Sequence, residues 1–166
     1  MNYNYFVLAR IFHVLAVVLW IGGVGFVTTV LIPSISKTEE PAARLKIFEA
    51  IETKFGFQAK LTTLVAGISG VYMLEVTDGW SRYLNYEFWW LHLMTFVWAV
   101  FTLVLFILEP LFLQKWFHRQ AEINSEKAFQ LLQIMHVVLL SLSIIAIVGA
   151  IGGSHGFTFK FFPAEQ

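Results

Sequence analysis

The chain contains no cysteine. That excludes disulfides, thiolate metal sites and thiol catalysis. Charge is scarce too: 13% of the 166 residues are charged and the formal net charge is zero. A soluble domain carries roughly a quarter charged residues, and a chain without a basic excess has no electrostatic footprint for nucleic acid. Four methionines (Met1, Met73, Met94, Met135) form no copper-binding ladder. The N-terminus lacks the basic region and the small-residue cleavage site of a signal peptide, so its apolar run reads as retained. Gly-x-Ser-x-Gly, His-Glu-x-x-His and phosphate-loop motifs are also missing, which leaves no hydrolytic signature.

Apolar residues are plentiful. They make up 58% of the sequence, and the mean hydropathy is +0.71. A membrane-spanning helix needs about 20 apolar residues. Four runs meet that need, at about 6–32, 55–76, 88–113 and 128–153. They predict an all-α fold: an integral membrane four-helix bundle forming one domain over 1–166, with polar connections at 33–54 and 114–127. Residues 42–54 have helical spacing (Leu45, Phe48, Ile51). They read as a short interfacial helix, as an extension of the second run or as a solvated linker. Asn124-Ser125 can cap the fourth run.

Lysine and arginine set orientation through short loops. The first connection holds Lys37, Arg44, Lys46 and Lys54, the third Lys115, Arg119 and Lys127, and the second only Arg82. Connections one and three therefore read as cytoplasmic and both termini as outside, as in a bacterial inner membrane. Lys60, near a span end, reads as snorkelling to the headgroups. Glu75 and Glu109 also lie near span ends, where they could relay protons or simply sit at the interface.

Histidine carries the chemistry. His118 falls in a polar stretch and His155 at the end of the last run, whereas His13, His92 and His136 lie inside runs. An ionisable group at membrane depth costs several kcal/mol and by default marks function. A helix rises 1.5 Å per residue, so His13, seven residues past Phe6, lies roughly 10 Å in, and His92, four past Phe88, roughly 6 Å in. Both enter from the outer side. His136, eight past Ala128, lies roughly 12 Å in from the inner face.

Two axial nitrogens at similar height suit a b-type haem. His13 and His92 are the expected iron ligands, with His136 the alternative, and one haem is expected, or two if all three histidines serve. Arg10, three residues before His13, shares its face and could meet haem propionates as a bidentate guanidinium, or could merely snorkel. Trp20, seven residues after His13, returns to the same face, to pack on a porphyrin or serve as core. The expected activity is electron transfer in a membrane cytochrome b, with a quinol or a redox protein as partner. The lipid bilayer is the surrounding partner, and a homo-oligomer is compatible. Any enzymatic activity would be that of an oxidoreductase. The rival readings are copper handling and a structural subunit whose histidines only pack.

Phe12-His-Val-Leu-Ala-Val-Val-Leu-Trp-Ile-Gly-Gly23 resembles the first-helix signature of the CopD-like and HemJ-like family of small four-helix haem-binding membrane proteins. Trp90-Leu-His92 resembles the start of a later helix in the HemJ-like branch. The resemblance implies haem b binding at the His13 position and, in that branch, oxidation of protoporphyrinogen IX. The CopD-like branch implies copper uptake. The HemJ-like pattern has a lysine two residues after the second histidine, where this chain carries Met94.

Overall fold

The computed structural model describes residues 3–37 and 40–157. Those residues are helical almost throughout, with no strand among them. Helix α1 (Tyr3–Ile35) includes a π-helical stretch at Val27–Leu31, and α2 spans Pro41–Val76. Two short 3-10 turns, Gly79–Leu84 and Tyr86–Phe88, lead into α3 (Trp89–Leu103). A π-helical segment, Val104–Leu113, carries α3 into α4 (Gln114–Ser154). Three stretches are long and apolar enough to cross a membrane: Tyr3–Ile35, Pro41–Val76 and Tyr86–Ser154.

The last of these is not one straight rod. At Asn124 the backbone leaves the helical region (φ −154°, ψ 90°). Its side-chain oxygen accepts a hydrogen bond from the Lys127 N–H, 3.0 Å away. This is the geometry by which asparagine caps a helix start. The chain turns back there: Trp89 and Trp90, at the start of α3, lie against Gly149 and Gly153, near the end of α4.

Helix extends further than the apolar runs alone suggest. Residues 42–54 continue the second run as one helix, and much of 114–127 is helical as well. Once a long helix is nucleated, each added residue gains a backbone hydrogen bond. Polar residues can therefore prolong a span beyond its apolar limit.

Two cores stack along the bundle. One gathers Ala16, Trp20, Ile21 and Val24 of α1 with Ala66, Val97 and Phe101. The other packs Val27, Leu31, Ile32 and Ile35 on Phe48 and Phe129. Large apolar side chains such as Val18, Ile68, Phe96 and Val148 stand exposed, as lipid-facing residues must. The buried hydroxyls of Thr28, Thr62, Ser69 and Ser143 donate back to carbonyls of their own helices, so no water is needed to satisfy them.

Small residues set how closely the helices approach. A Cβ on Gly23 would strike the Phe55 ring, and one on Gly67 would stand 2.6 Å from three atoms of the Trp98 indole. Trp98 fills the notch left by Gly67 and donates from Nε1 to the Thr63 carbonyl (2.9 Å).

Candidate functional site

His13 of α1 points at α2. Its Nδ1 lies 2.9 Å from the Ala66 carbonyl and 3.1 Å from Ser69 Oγ. A carbonyl oxygen only accepts, so Nδ1 carries the proton. In the neutral ring this leaves the Nε2 lone pair uncommitted. Metal-binding histidines are oriented in this way: one ring N–H is tied to a backbone carbonyl, which fixes the tautomer and raises the basicity of the other nitrogen. Gly70 lies beside the ring, where a Cβ would be 3.3 Å from His13 Cε1. The small stretch at 66–70 therefore serves the histidine directly.

His13 lines a cavity of about 230 Å³ walled by aromatics, among them Trp20, Trp80, Tyr83 and Trp98. Met94 and Ser143 also line it, and among the described residues no carboxylate, lysine or arginine does. Trp20 is 4% exposed, and its indole N–H has no hydrogen-bond partner among the described residues.

His92 lies at the same end of the bundle but not in that cavity. Its Nε2 is 3.1 Å from the Tyr83 carbonyl and its Nδ1 is 3.4 Å from the Phe88 carbonyl. Its ring packs edge-on against Tyr83, with centroids 5.2 Å apart. The structure thus spends His92 on pinning the 3-10 turn to α3 and does not bring it together with His13. Tyr83 stands between them, lining the cavity with its side chain and holding His92 with its carbonyl. Apolar periodicity carries no signal for such a turn.

Arg10 is exposed, one turn from His13 and outside the cavity lining. Arg82, one residue before Tyr83, lies over the Phe88 ring at 5.9 Å.

His136 faces a second, larger cavity of about 370 Å³ in the other half of the bundle. Its Nδ1 donates to the Leu132 carbonyl (2.9 Å), which again frees Nε2. Glu49, Glu52, Glu109 and His118 line the same cavity. The Lys60 ammonium lies 3.2 Å from both oxygens of Glu109. Lys60 therefore does not simply snorkel to the headgroups: α2 and the π-helical segment run side by side and give it a carboxylate at its own depth. His118 pairs with Glu49 at 2.7 Å, although its sequence neighbourhood looks merely solvated. The sequence signal was two ionisable side chains near span ends, Lys60 and Glu109; the packing of the helices selects the partner of each.

The Lys60–Glu109 side chains are 32% and 14% exposed. Removing one partner strands the other in a low dielectric, an effect reduced here by the partial exposure of Lys60. Lys60→Met is expected to destabilise the protein by about 1–2 kcal/mol. Lys60→Met/Glu109→Gln should recover most of that loss in a detergent unfolding titration. A double variant no better than the single one would show that the pair is not the cause.

Comparison with known protein families, curated proteins and solved structures finds no match for this chain.

Proposed function

We propose that the protein is a membrane cytochrome b: a four-helix bundle with both termini outside, holding one haem b in the His13 cavity for electron transfer. The observation that carries this reading is the oriented imidazole, with Nδ1 bonded to the Ala66 carbonyl and Nε2 free beside an aromatic-walled cavity. His13 Nε2 would hold the iron on one side. The Met94 thioether, also in the lining, would be available as a second group to hold it.

The residues fit a haem in two respects. The donor is an imidazole with one nitrogen free, and the walls are apolar and aromatic. Pockets that enclose a drug-sized ligand run to roughly 300–1,000 Å³. A macrocycle is larger than this cavity, and Arg10, one turn from His13, and Arg82, next to Tyr83, would be available to its propionates. When bound, haem supplies reversible one-electron chemistry at its iron. This chain's own residues orient the ligand through Ala66 and Ser69, exclude water through the Trp20, Trp80 and Trp98 walls, and set the polarity around the site.

Among the alternatives, the protoporphyrinogen oxidase reading receives the least support. Met94 stands where that family's pattern has a lysine, and no lysine or arginine among the described residues lines the cavity. The deciding measurement is a pair of optical spectra, oxidised and dithionite-reduced, of protein purified in mild detergent after expression with haem supplied. No haem bands would overturn the proposal, as would haem bound equally well without His13.

The four-crossing topology rests on the reversal at Asn124 and on the lysine and arginine asymmetry of the connections. Because the chain has no cysteine, single introduced cysteines report cleanly. In intact cells, Tyr86→Cys is expected to react with a membrane-impermeant maleimide, and Glu122→Cys only after the membrane is opened. Labelling of both from the same side would contradict the topology.

A further inference from the structure

The second cavity has features that the haem site does not use. It lies within the membrane-spanning bundle, and its walls are mainly apolar, with rings from Phe48, Phe55, Phe101 and Phe117. Both π-helical stretches border it: Val27 and Leu31 come from the first, and Val104 and Glu109 from the second. π-bulges in helices occur frequently at functional sites. The Glu49 carboxylate lies 2.7 Å from His118 Nε2 and that of Glu109 is paired with the Lys60 ammonium, whereas Glu52 has neither a hydrogen bond nor an ion pair among the described residues. The cavity therefore offers two uncommitted acceptors, His136 Nε2 and the Glu52 carboxylate, within an aromatic box.

That chemistry selects a neutral amphiphile with hydroxyl donors. Anionic headgroups would meet a lining in which three carboxylates outnumber the cations. The two cavities also meet: Trp20, from the His13 cavity, and Phe101, from the second, are in edge-to-face contact with centroids 4.9 Å apart. We propose that the second cavity is the binding site for a membrane quinol headgroup, whose hydroxyls donate to His136 Nε2 and to the Glu52 carboxylate. The choice of a redox-active ligand rests on the electron-transfer reading, whereas the acceptor pair and the aromatic box stand without it. The Trp20–Phe101 contact is then the wall between donor and haem.

The probe is decylubiquinol, kept reduced under argon and titrated into the protein in lipid nanodiscs, with tryptophan quenching as readout; Trp116 lines this cavity. Saturable quenching is expected. His136→Phe and Glu52→Leu should each weaken it about tenfold, as loss of a hydrogen bond worth roughly 1.4 kcal/mol predicts. Circular dichroism of each variant confirms that it is folded. His13→Ala should lose haem yet bind the quinol unchanged; wild-type protein that binds the quinol but carries no haem would overturn the cytochrome reading and leave this site standing. Non-saturable quenching overturns the proposal. So does unchanged affinity in both folded variants, or tighter binding of the lipophilic cation tetraphenylphosphonium than of the quinol.

Discussion

His13→Ala is expected to abolish haem binding, while His92→Ala retains it. The first substitution removes the nitrogen whose partner atom is fixed by the Ala66 carbonyl. The second removes a ring already engaged with the Tyr83 carbonyl and outside the cavity. Losing even an outer-shell partner of a metal-bound histidine costs roughly 10–100-fold in affinity. Loss of the ligand itself should exceed about 100-fold. Ser69→Ala, which removes the hydroxyl 3.1 Å from Nδ1, belongs in the intermediate range. Met94→Leu should keep the haem but change its spectrum and potential, because a thioether raises the potential of the iron it ligates. Reduced-minus-oxidised spectra and haem titration read all four variants. Bands that vanish in both His13→Ala and His92→Ala would restore the pairing expected from depth alone and remove the one proposed here.

Gly67→Leu is expected to destabilise the bundle by about 2–4 kcal/mol and to close the His13 cavity. Its Cβ alone would stand 2.6 Å from Trp98 Nε1, Cε2 and Cζ2. The indole cannot swing away freely, because Nε1 is held by the Thr63 carbonyl at 2.9 Å and the ring packs against the core around Trp20. Overpacking of this kind typically costs about 1–3 kcal/mol, and the strained or broken hydrogen bond adds about 1 kcal/mol. Gly22→Ala is the control. No atom lies within 4 Å of its would-be Cβ, and alanine is the better helix former by roughly 0.5–1 kcal/mol. Thermal unfolding in detergent should therefore separate two glycines of similar sequence context in opposite directions. Equal destabilisation by both would show that helix backbone effects, not the Trp98 notch, decide. Haem content should fall with Gly67→Leu even where the protein stays folded, since Gly67 and Trp98 both line the cavity.

The contrast between His13 and His92 also marks how far the sequence reaches. Depth follows from helix rise and from where each run begins, so counting residues placed both histidines at one end. Facing is different. It depends on rotation about each helix axis and on the 3-10 turn that presents Tyr83 to His92. The pairing of Lys60 with Glu109 was hidden for the same reason: 49 positions separate them, and only side-by-side packing reveals that each neutralises the other.

By itself, the sequence determined the all-helical membrane character, because long apolar runs leave the backbone no other way to satisfy its own hydrogen bonds in lipid. It also determined the break at Asn124, a local capping preference, and singled out His13 as a costly group needing a purpose. Only the tertiary structure decided which atom of His13 is free, that Gly70 makes room for its ring and Gly67 for Trp98, and that His136 and Glu52 face a separate cavity. Those are relations between helices, set by the rotation and closeness at which small and aromatic residues interlock.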